Sequence, residues 1–201
     1  MSENAYSPPE TSAAIPTPPP ISGKPARMIV FGILHLVGGL IGLIGIATNL
    51  FQGDPKQATL DAFAQPGQPK PVFSPDALAA LDEGLRFNSI FIVIGIILFA
   101  LIIVSGLGLL MSKKWSLKAS NTYAVLSILS KIVSLGVAIT LIGPAYNRFF
   151  DGVSQVDETL MAIMRPALTW GLYGSLFIVV YPILSLILLN KETVRRYLAR
   201  K

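Results

Sequence analysis

The chain has 201 residues, of which 52% are hydrophobic and only 13% charged, and its mean hydropathy is +0.62. A soluble domain carries about 25% charged residues, so the polar surface that would cover a water-soluble globule is missing. The composition therefore predicts an integral membrane protein. The net charge of +5 does not indicate a nucleic-acid-binding protein, because the basic residues flank apolar segments and form no stripe with interleaved aromatic residues.

Several kinds of chemistry are excluded by the residue types that the chain lacks. It has no cysteine, which excludes disulfides, thiolate nucleophiles and Cys-ligated metals. His35 is the single histidine, and the apolar segments contain no Asp or Glu, so one chain cannot supply three zinc ligands within the membrane. No phosphate-binding glycine motif follows a strand pattern. We expect a non-enzymatic protein without a metal site or cofactor.

The N-terminal segment, residues 1–26, contains seven of the fifteen prolines and almost no large apolar side chains. This composition predicts a disordered Pro-rich cytoplasmic tail with polyproline II character. A ligand for a proline-binding domain is the alternative interpretation. The apolar block that follows is longer than the 7–15 residues typical of a signal peptide, so we expect it to be retained as a membrane span.

Four apolar blocks of 22 to 24 residues follow the tail, and they are 28–51, 89–111, 121–142 and 168–189. At 1.5 Å per residue each helix would extend roughly 33–36 Å, which is enough to cross a hydrocarbon core of about 30 Å. The sequence thus predicts an all-α protein whose membrane domain, residues 27–190, is a four-helix bundle. The loops at its outer side would be residues 52–88 and 143–167.

The distribution of Lys and Arg predicts the orientation of this bundle. Ten of them lie in the two terminal segments and in the short turn between the second and third blocks, whereas the two longer loops hold five. By the positive-inside rule, both termini should face the cytoplasm. The basic C-terminal tail, residues 191–201, should extend the fourth helix. Its five basic residues should attract anionic lipid headgroups at about 1 kcal/mol each.

Each half of the chain consists of an outward span, an acidic outer loop and a return span, which suggests two duplicated helical hairpins. Residues 49–54 and 147–152 resemble each other after the first and third spans. In each loop a serine, Ser74 or Ser154, is placed to cap a helix that leads into the next span. Four-pass topology alone would also produce this alternation, so the two explanations stay open.

Lys131 is the one charged residue within an apolar block, and it lies on a polar face of the third helix. That face consists of Ser120, Tyr123, Ser127, Ser130, Lys131 and Ser134. A lysine near the bilayer midplane costs about 2.5–3.5 kcal/mol on insertion scales, so it needs an explanation. Either Lys131 faces a hydrated cavity, where it contacts an anion or a lipid headgroup or acts as a proton-linked group, or its side chain snorkels towards the cytoplasmic surface.

Small residues form one face of the first span and one face of the fourth. On the first span they are Gly32, Gly38, Gly39, Gly42 and Gly45, on the same side as His35, and on the fourth they are Gly171, Gly174 and Ser175, with Tyr181, Pro182 and Ser185. Such faces allow close helix packing, and Pro182 should kink the fourth helix.

Five polar residues come out at similar depths when they are counted from the predicted cytoplasmic edge of each span. They are His35, Ser105, Ser127, Lys131 and Tyr181. If the small-residue faces converge, these side chains would form one polar cluster in the inner half of the bundle. The cluster could be a binding site or a hydrogen-bonded core.

The ends of the second and fourth spans, residues 106–115 and 181–191 followed by Val194 and Arg195, resemble small four-pass bacterial integral membrane proteins of unassigned activity. The resemblance extends loosely over residues 27–201. It implies the cytoplasmic membrane of a bacterium and transfers no functional residues.

Two functions follow from these features. The first is a non-enzymatic structural or accessory role, in which small-residue faces bind a second copy or a larger membrane-protein partner. The alternative is a small transporter or channel subunit that uses the polar face around Lys131, which would have to oligomerise because four helices rarely enclose a path. A lipid-modifying enzyme is disfavoured, since the spans offer no evident acid, base or metal ligands.

Overall fold

The computed structural model of the chain describes residues 23–51, 53–64, 70–156, 158–174 and 179–200, without the side chains of Asn88 and of residues 168–174. Within this part, the protein is all-α apart from one pair of two-residue strands, which confirms the all-α part of the predicted fold class. Residues 1–22 of the predicted disordered tail lie outside the described residues.

The elements in chain order are α1 (Ala26–Phe51), α2 (Pro55–Asp61), β1 (Val72–Phe73), α3 (Pro75–Leu110), α4 (Trp115–Val137), a π-helical segment (Ala138–Ile142), α5 (Gly143–Asp151), β2 (Val153–Ser154), α6 (Glu158–Gly174), α7 (Val180–Leu189) and α8 (Glu192–Ala199). Three stretches are long and apolar enough to cross a membrane: α1, α3 and the continuous helix Trp115–Asp151. The apolar helix α7 has only 10 residues.

Glycines bring α1 and α3 into close contact. A Cβ atom built on Gly106 would lie 2.9 Å from both the carbonyl oxygen of Gly32 and the Cβ atom of His35. On α1, an added Cβ at Gly39 or at Gly42 would overlap side chains of α3. Much of the predicted small-residue face of the first span therefore contacts α3 within the same chain.

The tight turn between α3 and α4 depends on Ser112, which has a left-handed φ of 55°. The backbone N–H of Lys113 donates to the Gly108 carbonyl at 2.9 Å, and that of Ser112 donates to the Leu109 carbonyl at 3.2 Å. These two bonds form a Schellman motif, which ends α3 and directs the chain back. The ammonium group of Lys24 also donates to the Leu110 carbonyl, at 2.5 Å.

The third long helix extends beyond both ends of the predicted block 121–142. It begins at Trp115 and reaches Asp151 through the π-helical segment. Pro144 has no N–H, and in a regular α-helix its ring would clash with the carbonyl group four residues before it. The N–H of Gly143 donates instead to the Ala138 carbonyl, five residues back, and the wider turn lets the helix continue through the proline.

A compact apolar cluster, here called the loop-end cluster, joins the two long loops where α1 ends and α3 begins. Its buried members are Phe63, Ala77, Ala80, Leu81, Phe149 and Phe150. The antiparallel strands β1 and β2 connect the loops through backbone hydrogen bonds. Arg148 and Glu83, at 2.5 Å, and Lys56 and Asp82, at 2.8 Å, form ion pairs around the cluster.

The two predicted loop-helix starts have different outcomes. Ser74 is the N-cap of α3, with its Oγ accepting from the Ala77 N–H at 3.1 Å, as predicted. The prediction for Ser154 is wrong, because Ser154 pairs with Val72 in the sheet and α6 begins at Glu158. Gln155 has a φ of 59°, so the backbone turns away from a helical path directly after Ser154.

At the opposite end, here called the terminal end, α8 folds back onto the bundle. The expectation that the fourth helix continues into the C-terminal tail is wrong, because α7 ends at Leu189 and Lys191 has an extended ψ of 143°. The turn buries Val194 and Leu198 against Met28, Leu109 and Leu189. A straight helix would leave these two apolar side chains without that contact. Pro182 lies in the first turn of α7, where its missing N–H costs little.

Candidate functional site

His35 is the centre of a hydrogen-bonded network between α1, α4 and α7. Its Nδ1 atom lies 2.5 Å from the hydroxyl oxygen of Tyr181, and its Nε2 atom lies 3.0 Å from Oγ of Ser120. Ser120 Oγ is in turn 3.2 Å from Ser185 Oγ. His35 and Ser120 are fully buried, and Ser185 is almost so. This His35 network therefore joins three helices inside the protein.

Aromatic rings surround the His35 side chain. The ring centroid of His35 is 5.6 Å from that of Tyr181, 5.8 Å from that of Tyr123 and 6.2 Å from that of Phe31. These edge-type contacts add packing energy to the hydrogen bonds. They also leave no open side from which a solute could reach the imidazole, which has no exposed surface.

A second polar contact joins α4 to the end of α7, and it was not predicted from the sequence. Asn121 and Asn190 exchange two amide hydrogen bonds, of 3.1 and 2.8 Å. Asn190 also donates to the Leu186 carbonyl at 2.7 Å, so it caps the end of α7 while it holds α4. The signal was an asparagine at the terminal end of each of two apolar segments, but an asparagine there is equally typical of an exposed helix end.

A cavity of about 280 Å³ lies between α1, α3 and α4, and Lys131 lines it. The polar part of its wall comes from α4, whereas α1 and α3 contribute apolar side chains and Gly95. The lining residues are Ile46, Phe91, Ile92, Ile94, Gly95, Leu98, Phe99, Tyr123, Ser127, Ser130, Lys131 and Ser134. Among the described residues, no carboxylate forms an ion pair with Lys131.

The structure divides the five predicted cluster residues between different sites. His35 and Tyr181 are bonded in the His35 network, while Ser127 and Lys131 line the cavity. Ser105 is fully buried, and its Oγ has no hydrogen-bond partner within the described part of the chain. Tyr123 connects the two sites, because its ring contacts His35 and also lines the cavity.

The difference in depth between His35 and Lys131 can be followed along α4. Ser120 is hydrogen-bonded to His35, whereas Lys131 lines the cavity. These two positions of α4 are eleven residues apart, about 16 Å at 1.5 Å per residue. The predicted common depth failed because α4 begins six residues earlier than the predicted 121, which places Lys131 farther from the terminal end.

The Ser120, His35 and Tyr181 side chains have the connectivity of a nucleophile, a base and an orienting group. Nucleophilic catalysis also needs space for a substrate beside the nucleophile, and Ser120 and His35 have no exposed surface. The arrangement instead satisfies buried polar groups and fixes the positions of three helices.

The predicted small-residue face of the fourth span cannot be placed, because the side chains of residues 168–174 and all of residue 175 lie outside the described part. Within the described part, no group of three His, Asp or Glu residues lies close enough to hold a metal ion. No family model, curated protein or solved structure matches the chain.

Proposed function

We propose that the protein is a non-enzymatic, four-span membrane protein that acts as a subunit of a small transporter or channel for anions. The observation that carries the proposal is the cavity at Lys131. A partly buried ammonium group that lines a cavity between apolar helices, without a carboxylate partner among the described residues, provides a binding site for an anion. Ser127, Ser130 and Ser134 supply further hydroxyl donors on the same helix.

The positions of α6 and α7 support a fourth crossing of the membrane. Leu160, Met161 and Met164 in the first part of α6 pack against the loop-end cluster. Tyr181, Ser185 and Leu189 of α7 contact α1, α4 and the terminal end. These contacts at opposite ends of the bundle support the proposal that the chain crosses a fourth time between α6 and α7. With the excess of Lys and Arg at the terminal end, we infer that both termini face the cytoplasm of a bacterium and that α8 contacts anionic headgroups.

Anion flux into proteoliposomes tests the transport proposal. We expect Lys131-dependent flux for at least one of chloride, nitrate, acetate and benzoate, and a loss of tenfold or more in Lys131→Met, because the substitution keeps the length of the side chain and removes its charge. Lys118→Met is the matched control, since Lys118 is an exposed lysine on the same helix. Flux that is equal in Lys131→Met and in the unmodified protein would contradict the proposal, as would the absence of flux for all four anions.

A structural or accessory role through helix association is the second candidate. Gly38 and Gly45 of α1 support it, because a Cβ atom built at either position would meet nothing within 4 Å. These glycines would let a helix of a second copy or of a larger membrane protein approach closely. In this cysteine-free chain, Gly38→Cys should give a disulfide-linked species in native membranes, whereas Ile132→Cys, which is 62% exposed on α4, should not. Equal cross-linking at both positions would indicate random collision.

A further inference from the structure

We propose that the ligand of the Lys131 cavity is an amphipathic organic monoanion, in which a carboxylate or a similar acidic group is attached to an apolar body. This inference rests on the proposed anion-binding function and adds the chemical class of the substrate. It follows from the unequal composition of the two walls of the cavity.

The polar wall belongs entirely to α4. Ser127 and Ser134 lie four residues before and three after Lys131, so they share its side of the helix, and Ser130 also lines the cavity. An ammonium group offers three donors, and each hydroxyl offers one. A carboxylate has two oxygens that can accept these bonds, and its charge would compensate that of Lys131.

The opposite wall has no polar side chain among the residues that line the cavity. Ile46 of α1 and Phe91, Ile94, Leu98 and Phe99 of α3 line it. A small inorganic anion would leave this apolar surface in contact with trapped water and would itself lose hydration on that side. A ligand with an apolar body covers the wall and keeps its charge on α4, because aliphatic and aromatic carbon replaces water at these side chains.

The volume and place of the cavity limit the size of the ligand. About 280 Å³ is slightly below the range of roughly 300–1,000 Å³ that holds drug-sized molecules. The cavity therefore suits a short or single-ring acid, or the acid group and first carbons of a longer chain that continues into the bilayer. A membrane-derived fatty acid and a water-soluble aromatic acid share this chemistry.

Protection of an introduced cysteine can test the inference. Ser134→Cys places a thiol on the cavity wall of a chain that has no other cysteine, and Ile132→Cys provides an exposed site on the same helix. In phosphatidylcholine nanodiscs, decanoate should slow modification of Ser134→Cys by a membrane-permeant methanethiosulfonate at least fivefold. Decanol, which has the same chain without the charge, and chloride should change the rate by less than twofold. None of the three compounds should change the modification rate of Ile132→Cys.

Comparison with benzoate distinguishes the two sources of the ligand. Stronger protection by decanoate favours a membrane-derived acid, and stronger protection by benzoate favours a water-soluble one, while both support the inference. Protection should disappear in the double variant Lys131→Met, Ser134→Cys. If chloride protected as well as decanoate, or if decanol did, the amphipathic monoanion would be the wrong class.

A second measurement covers the case in which the thiol at residue 134 does not react. Decanoate should raise the midpoint of thermal unfolding of the unmodified protein but not that of Lys131→Met, because a ligand that binds the folded state stabilises it. An equal effect on both proteins would overturn the inference. Lys131-dependent protection without anion flux would support the ligand class and contradict the transport function. Lys131-dependent flux without protection would support the transport function and contradict the ligand class.

Discussion

His35 illustrates how burial decides the role of a polar residue among apolar helices. Both of its ring nitrogens are bonded to hydroxyl groups, and in a neutral imidazole one nitrogen donates and the other accepts. Hydrogen bonds between membrane helices contribute about 0.6 kcal/mol on average and at most about 1.7 kcal/mol. The two bonds of His35, with the bond from Ser120 to Ser185, therefore position α1, α4 and α7 relative to one another.

Ser105 provides a test of buried polarity at the scale of one residue. Ser105→Ala should raise the free energy of unfolding by about 0.5–1 kcal/mol, since it removes a buried hydroxyl that has no partner among the described residues. Unfolding in mild detergent by heat or by added SDS measures the change. Ser116→Ala is the matched control, because Ser116 is equally buried but donates to the Lys113 carbonyl at 2.6 Å.

Ser116→Ala should lower the free energy of unfolding by about 1 kcal/mol through the loss of that hydrogen bond. A loss of stability in both variants would show that the Ser105 hydroxyl has a stabilising partner.

At the scale of the helices, hydropathy predicted where apolar segments lie but not where the helices end. The second block was predicted from 89, yet α3 begins at Pro75, because the capped loop helix continues into the span without a break. The third helix begins at Trp115, since the polar turn before residue 121 is helical although it is not apolar. Hydropathy does not detect such turns. Because the start of α4 was misplaced, Lys131 was wrongly predicted to lie at the depth of His35.

The site was predicted in its residue types more accurately than in its contacts. Periodicity on the third span placed Ser120, Ser127 and Lys131 on one face. In the structure Ser120 is hydrogen-bonded to His35, and Ser127 and Lys131 line the cavity. Periodicity cannot tell which helix meets each part of that face. Ser120 meets α1 and α7, whereas Lys131 meets the apolar wall from α1 and α3.

The contact between α1 and α3 gives a prediction at the scale of the element. Gly106→Ala should lower the free energy of unfolding by about 1–3 kcal/mol, because the added methyl group would overlap the backbone oxygen of Gly32, which cannot move aside as a flexible side chain could. Gly136→Ala is the control, since a Cβ atom there meets nothing within 4 Å. In a helix it should be neutral or should stabilise by up to about 1 kcal/mol.

Thermal unfolding of both glycine variants in the same detergent checks this prediction. If Gly106→Ala were as stable as Gly136→Ala, the two helices would have to lie farther apart than in the structure.

At the scale of the whole molecule, the two ends of the bundle are built differently. The loop-end cluster joins both long loops through aromatic packing, a strand pair and ion pairs. At the terminal end α8 covers α1, α3 and α7 with Val194 and Leu198, and it leaves Arg195, and Arg200 directly after the helix, at the surface. The Lys131 cavity lies between these ends, so a ligand must pass one of them or enter from the lipid between helices.

The side of the membrane on which each end lies can be measured with single cysteines in this cysteine-free chain. Asp61→Cys and Ala162→Cys mark the loop end, and Lys114→Cys and Thr193→Cys mark the terminal end, all at exposed positions. In intact spheroplasts, a membrane-impermeant maleimide should label the first pair at least tenfold faster than the second, and permeabilisation should remove the difference. This result is expected because Lys and Arg concentrate at the terminal end, which the positive-inside rule places in the cytoplasm. Labelling of Thr193→Cys together with the first pair would mean that the chain crosses three times. Labelling of Lys114→Cys alone among the four would mean that the chain crosses three times in the opposite orientation.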